Sequence, residues 1–302
     1  MWFKQAQIFK LSQPMAYDPE VLQAALTRLA FSPCLPSFSS SHGWAAPIDQ
    51  DDAPLVHASD GFMLFTLQVE EKVLPATVIR QAVNERVKKM QAEYDRKISR
   101  REKTDLKEEI TQSLLPRAFS RFSRINAYID TKRQWLVVDT ASSTKLELFS
   151  KMFQRSCPDD QFAPLSLRKL PPILTSWVLN QSYPGVFGIE KSAVLRDPNL
   201  VTRQVRCQQQ DLFSSAIKNL IKEGFEISQL SINWQDRVVF QLDEFGALKT
   251  IRYLDEILAL AKDHYSETES ERFDADFFIM TKTLTQLFDD LYETLILEEV
   301  VA

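Results

Sequence analysis

Ten Lys and Arg side chains fall within residues 80–107, with five Asp and Glu among them. Lys88, Lys89, Arg96, Lys97, Arg100, Arg101 and Lys103 crowd the middle of that stretch. Long cations on an exposed element meet phosphates at little desolvation cost, and the counterions they release supply affinity. Such contacts position a protein on nucleic acid without reading its bases. The plain alternative is a solvated helix pair laced by its own i,i+4 ion pairs. A second basic cluster, Arg117, Arg121 and Arg124, is interleaved with Phe119 and Phe122. The planar guanidinium can donate two parallel hydrogen bonds to one phosphate. Phe119, just past Pro116, is placed to anchor a partner chain; Phe122 is expected to pack into a core.

Other chemistry finds weaker support. Asp274 with Asp276, and Asp289 with Asp290, are the carboxylates a metal-dependent nuclease would need. Adjacent or next-but-one residues do not share a helix face, so these acids read as a solvated surface. His42, His57 and His264 lack HExxH or HxxxH spacing. Cys34, Cys157 and Cys207 are odd in number and far apart, which fits small apolar side chains in a reducing compartment. The chain holds 6 Gly against 14 Pro and has neither GxxxxGK[ST] nor GxGxxG. Gly185-Val186-Phe187-Gly188 has the GxxG form of a KH clamp, but follows Tyr183-Pro184 instead of joining two helices. The Ser-rich residues 38–41 lack a GxSxG elbow and read as loop. No catalytic residue, metal or cofactor is expected.

The elements that would carry the basic residues are legible. Residues 76–97 have helical spacing, with Ile79, Val83, Val87, Met90 and Tyr94 on one side. Ser99 and Glu102 form a capping box that opens a second helix, with Leu106, Ile110 and Leu114 facing inward. Together they make a helical hairpin, a finger with the basic cluster toward its tip. Around it, residues 2–11 and 62–69 read as strands. Asp18 and Pro19 open a helix, as does Ser142. Residues 37–54 read as loop, 127–129 and 134–139 as strands, and 157–172, with four prolines, as a connection. Residues 201–207 and 227–253 suggest strands, 214–222 a helix, and 254–297 an acidic helical end. The class is α+β, divided as 1–74, an N-terminal lobe; 75–118, the inserted finger; 119–160, the same lobe continued; and 161–302, a C-terminal lobe.

Charge follows this division. The net charge is −5, yet residues 80–133 hold 15 Lys and Arg against 8 Asp and Glu, leaving −12 on the remainder. A basic element on an acidic body is an electrostatic footprint that the average conceals. No signal peptide and no apolar run long enough for a membrane are evident, so the cytoplasm is expected.

The sequence resembles the RdgC family of bacterial recombination-associated proteins. The resemblance rests on Met1-Trp2-Phe3-Lys4, Phe31-Ser32-Pro33-Cys34, Glu71-Lys72-Val73-Leu74-Pro75, the block from Ser113 through Leu114-Leu115-Pro116-Arg117-Ala118-Phe119-Ser120-Arg121-Phe122 to Ser123, and Arg272-Phe273-Asp274-Ala275-Asp276-Phe277. It implies a multi-lobed, horseshoe-shaped monomer whose two copies close into a ring with a basic hole that admits duplex DNA. It implies binding to double-stranded DNA with little sequence preference, and leaves single strands open. It also implies association with the nucleoid, restraint of RecA-promoted strand exchange, and no catalysis. Phe119 matches a finger phenylalanine that packs into the partner subunit, and Arg96 a basic position tied to that contact or to DNA. Gln208 and Gln209 depart from the pattern, since family members can carry lysines there; Arg203 and Arg206 are the nearby cations that could compensate. The alternatives are a metal-dependent nuclease and a protein-interaction scaffold whose finger binds an acidic protein.

Overall fold

The computed structural model describes residues 1–12, 18–50, 52–263 and 268–295. It is α+β. A seven-stranded sheet contains β1 (Gln7–Leu11), β2 (Ser40–Ala45), β3 (Val56–Ser59), β4 (Phe62–Val73), β5 (Phe119–Asp130), β6 (Trp135–Val138) and β7 (Phe162–Pro164). Its order is β2-β4-β5-β6-β1-β7, with β3 beside β2 on the same edge of β4. A five-stranded antiparallel sheet contains β8 (Phe187–Asp197), β9 (Leu200–Cys207), β10 (Glu226–Trp234), β11 (Val238–Asp243) and β12 (Leu248–Tyr253), in the order β12-β11-β10-β8-β9.

Strand alternation gives the first sheet two apolar faces. Phe65, Leu67, Ile125 and Ala127 pack against α1 (Pro19–Thr27) and α4 (Ser143–Ser156), meeting Leu22, Leu26, Phe149 and Phe153. Leu64, Tyr128 and Val137 face the other way, into a core shared with the second sheet, α5 (Leu170–Asn180) and α8 (Glu269–Leu295). The expected caps are in place, Asp18 on α1 and Ser142 on α4.

Three segments differ from the sequence expectation. Residues 37–54 hold β2, whose short polar residues hide its period; Gly43 is required there, since a Cβ would lie 2.5 Å from the Phe31 Cα. The proline-rich 157–172 contains β7 and the start of α5, where a proline in the first turn sacrifices no helix bond. β8 precedes β9 and lies inside the second sheet, between β10 and β9. Gly188 lies within β8, so the GxxG tetrapeptide leads into a strand and has no KH context.

Most acids of the C-terminal end are exposed, as expected, but the four candidate metal ligands among them each have a partner. Asp289 accepts from Arg133 Nε at 2.9 Å, and Asp290 accepts from Trp234 Nε1 at 2.7 Å. Asp274 meets His57 Nε2 at 3.1 Å, and Asp276 meets the Met1 amine at 2.8 Å. The reason is the spacing that argued against a shared face. α8 lies against both sheets, so neighbouring acids reach opposite ways, Asp289 to the turn after β5 and Asp290 to the end of β10. Backbone bonds tie the sheets again: Ala6 and Leu248 exchange them at 2.8 and 2.9 Å, and Ile251 donates to Lys4 at 2.9 Å. His264 lies outside the described residues.

Candidate nucleic-acid interface

β4 and β5 pair without a break from Phe62 opposite Asp130 to Val73 opposite Phe119. At about 3.3 Å per residue this ribbon is about 40 Å long. Both strands run further than expected. Glu70, Glu71 and Lys72 hide the end of β4, and Arg121 and Arg124 hide the start of β5. β6 covers β5 only from Ala127 to Asp130, so the 119–125 edge has no strand partner on that side among the described residues.

The finger joins the two ribbon strands. α2 (Ala76–Tyr94) and α3 (Arg100–Leu114) pack chiefly on each other, through buried Val87, Ile98 and Leu106 with Val83 and Met90. Tyr94, expected on that apolar stripe, is exposed. α2 ends at Asp95 in the left-handed region, φ 46°. The capping box is formed: Ser99 N donates to Glu102 Oε2 at 2.8 Å, and Glu102 N donates to Ser99 Oγ at 3.3 Å.

Arg96 does not point freely at a ligand. Its guanidinium donates to both Glu102 oxygens, at 3.1 and 2.6 Å. That fork, with the Ser99 amide and hydroxyl, holds the Glu102 carboxyl down to about 2. A depressed carboxylate stabilises the fold above its unfolded value, 4.5, and that contribution is lost as pH falls toward 2. Amide-exchange protection across residues 99–106 is therefore expected to fall between pH 4.5 and 2 in the parent and to be flat with pH in Glu102→Gln. Parallel curves would contradict it.

The other finger cations are unengaged. Lys88, Lys89, Lys97, Arg100, Arg101, Lys103 and Arg117 are exposed and form no ion pair among the described residues. On the ribbon, Arg121 pairs with Glu71 at 2.5 Å and Arg124 with Asp49 at 3.8 Å. Exposed pairs of this kind are worth about 0–1 kcal/mol, which a phosphate can displace.

Phe119 is 86% exposed and Phe122 58%. The placement of Phe122 corrects the expectation of a core residue. It lies opposite Glu70 on the overhanging ribbon, beyond the helices that cover the sheet, with Phe31 at 6.5 Å as an edge contact. A cluster that the sequence did not reveal fixes this ribbon. Glu70, 4% exposed, accepts from Ser120 Oγ at 2.5 Å and Cys34 N at 2.7 Å. Lys72 Nζ donates to Ser120 at 3.0 Å. The Ser120 hydroxyl and then the Cys34 amide keep the Glu70 carboxyl below its usual range. Alternation of Glu70 and Lys72 opposite Phe122 and Ser120 was the available signal.

Gln208 and Gln209 border a cleft of about 780 Å³ on the polar face of the second sheet. Arg206 lines it and forms no ion pair among the described residues, whereas Arg203 is held by Asp197 at 3.4 Å and lies over the Phe225 ring. Arg206 is thus the nearby cation available there. No group of three or more His, Cys, Asp or Glu that could hold a metal occurs among the described residues. No described helix is long and apolar enough to cross a membrane.

These features define an α+β protein that carries an exposed cationic finger on a β-ribbon. A family model described as "RdgC: Putative exonuclease, RdgC" matches residues 1–298. The chain is 36% identical over 294 residues to the "Recombination-associated protein RdgC" of Halorhodospira halophila, covering 97% of each. It is 32% identical over 300 residues to the protein of that name from Yersinia pestis, covering 98% of each. The chain belongs to the RdgC family.

Proposed function

We propose that this protein binds duplex DNA through its phosphate backbone, without base readout, and neither cuts nor modifies it. The observation that carries the reading is the set of seven exposed cations on the finger and its root that form no ion pair among the described residues. In the reading, two horseshoe-shaped copies close into a ring around the duplex, with Phe119, and Arg96 beside its own Glu102, at the contact between fingers. The exposure of Phe119 and the unpaired β5 edge support such a contact. Occupying DNA on the nucleoid would restrain RecA-promoted strand exchange, which accords with the recombination-associated name its relatives carry. Single strands present the same phosphates and fit the same surface with fewer contacts.

The family description also names an exonuclease. The engaged state of Asp274, Asp276, Asp289 and Asp290 speaks against those acids as metal ligands. Linear duplex and plasmid incubated with purified protein and Mg²⁺ or Mn²⁺ are expected to stay intact while being shifted on a native gel. Shortening or nicking that follows the protein through purification would overturn the reading, as would no shift at low salt.

A further inference from the structure

The finger carries a second feature, which shares Arg100 and Lys103 with its basic cluster. A groove of about 540 Å³ runs between the N-terminal halves of α2 and α3, within the size range of ligand sites. Ala76, Ile79 and Val83 give it an apolar side, and Arg80, Arg100, Lys103 and Lys107 surround it. Ile79 and Val83 are half-buried, while all four cations are exposed and form no ion pair among the described residues.

We propose that this groove docks an acidic peptide segment bearing apolar anchor side chains. The cations alone would suit DNA as well. The apolar side decides for a peptide. Phosphate and sugar gain nothing against Ile79 and Val83, whereas an aliphatic or aromatic anchor gains roughly 25 cal/mol for each Å² buried. A duplex is also too broad to enter between two packed helices, whose axes lie about 8–10 Å apart. Four unneutralised charges around one groove call for several carboxylates flanking the anchors, so a neutral apolar peptide is a poor match. The groove residues exclude Lys88, Lys89, Lys97, Arg101 and Arg117, so changes at those cations separate DNA binding from peptide docking, although Arg100 and Lys103 are common to both surfaces.

The test uses the full-length protein and a short fluorescent peptide alternating Asp and Leu, compared with the same peptide carrying Ser for Leu. The Asp–Leu peptide is expected to bind and the Asp–Ser peptide to bind at least roughly tenfold more weakly. Ile79→Ser with Lys107→Glu should weaken the Asp–Leu peptide by a similar factor. Lys88→Glu with Lys89→Glu and Lys97→Glu should leave it within about twofold. Lys103→Glu alone, an exposed change that disturbs no packing, gives the same direction if the double variant folds poorly. Absence of binding at low salt, or equal binding of the Ser peptide, would overturn the proposal. A change in sedimentation on Ile79→Ser would also overturn it, because the groove would then be a contact between copies.

Discussion

Replacing Lys88, Lys89, Lys97 and Arg101 with Glu is expected to weaken duplex binding on the order of 100-fold or more at about 0.1 M salt. All four side chains are exposed and none forms an ion pair among the described residues, so the change removes no internal contact. The finger's small core of Val87, Ile98 and Leu106 is untouched. Each lost phosphate contact should also reduce the slope of log affinity against log salt by about 0.9. The loss should be the same for unrelated sequences, because phosphate contacts carry no base information. Anisotropy titrations of the parent and the fourfold variant on two duplexes measure this. A loss confined to one duplex would mean base readout, and no loss would move the DNA surface off the finger.

Phe119→Ser is expected to weaken self-association without weakening the fold. The ring is 86% exposed, so its removal leaves no cavity in the chain. As a buried anchor between copies it would be worth about 2 kcal/mol or more, or about 30-fold in dimer dissociation. Sedimentation equilibrium should show the shift while the melting temperature holds. An unchanged dimer mass would remove Phe119 from the contact. A lowered melting temperature at constant mass would instead assign the ring to packing in the single chain.

The finger was legible because its signals are local. Ser99 and Glu102 are three residues apart and cap the helix they begin. Val83, Val87 and Leu106 keep helical spacing around a break at Asp95. Other features depended on partners far along the chain. The end of β4 is polar in sequence because Glu70 and Lys72 are answered by Cys34 and Ser120, 36 and 48 residues away. Phe122 resembles a core residue by type, yet the ribbon that carries it extends past the helices that would bury it. Spacing alone puts Asp289 and Asp290 on different faces of α8, but which sheet each meets depends on partners far along the chain. Arg96 reads as a free cation by type, yet Glu102, six residues on, holds it.

The most direct measurement is a salt titration of binding to two duplexes of unrelated sequence, followed by anisotropy. Equal affinities at every salt, falling linearly in log–log form with a slope of several units, are the predicted result for a backbone grip by unpaired finger cations. Affinities that differ strongly between the two duplexes, or a salt slope near zero, would contradict it.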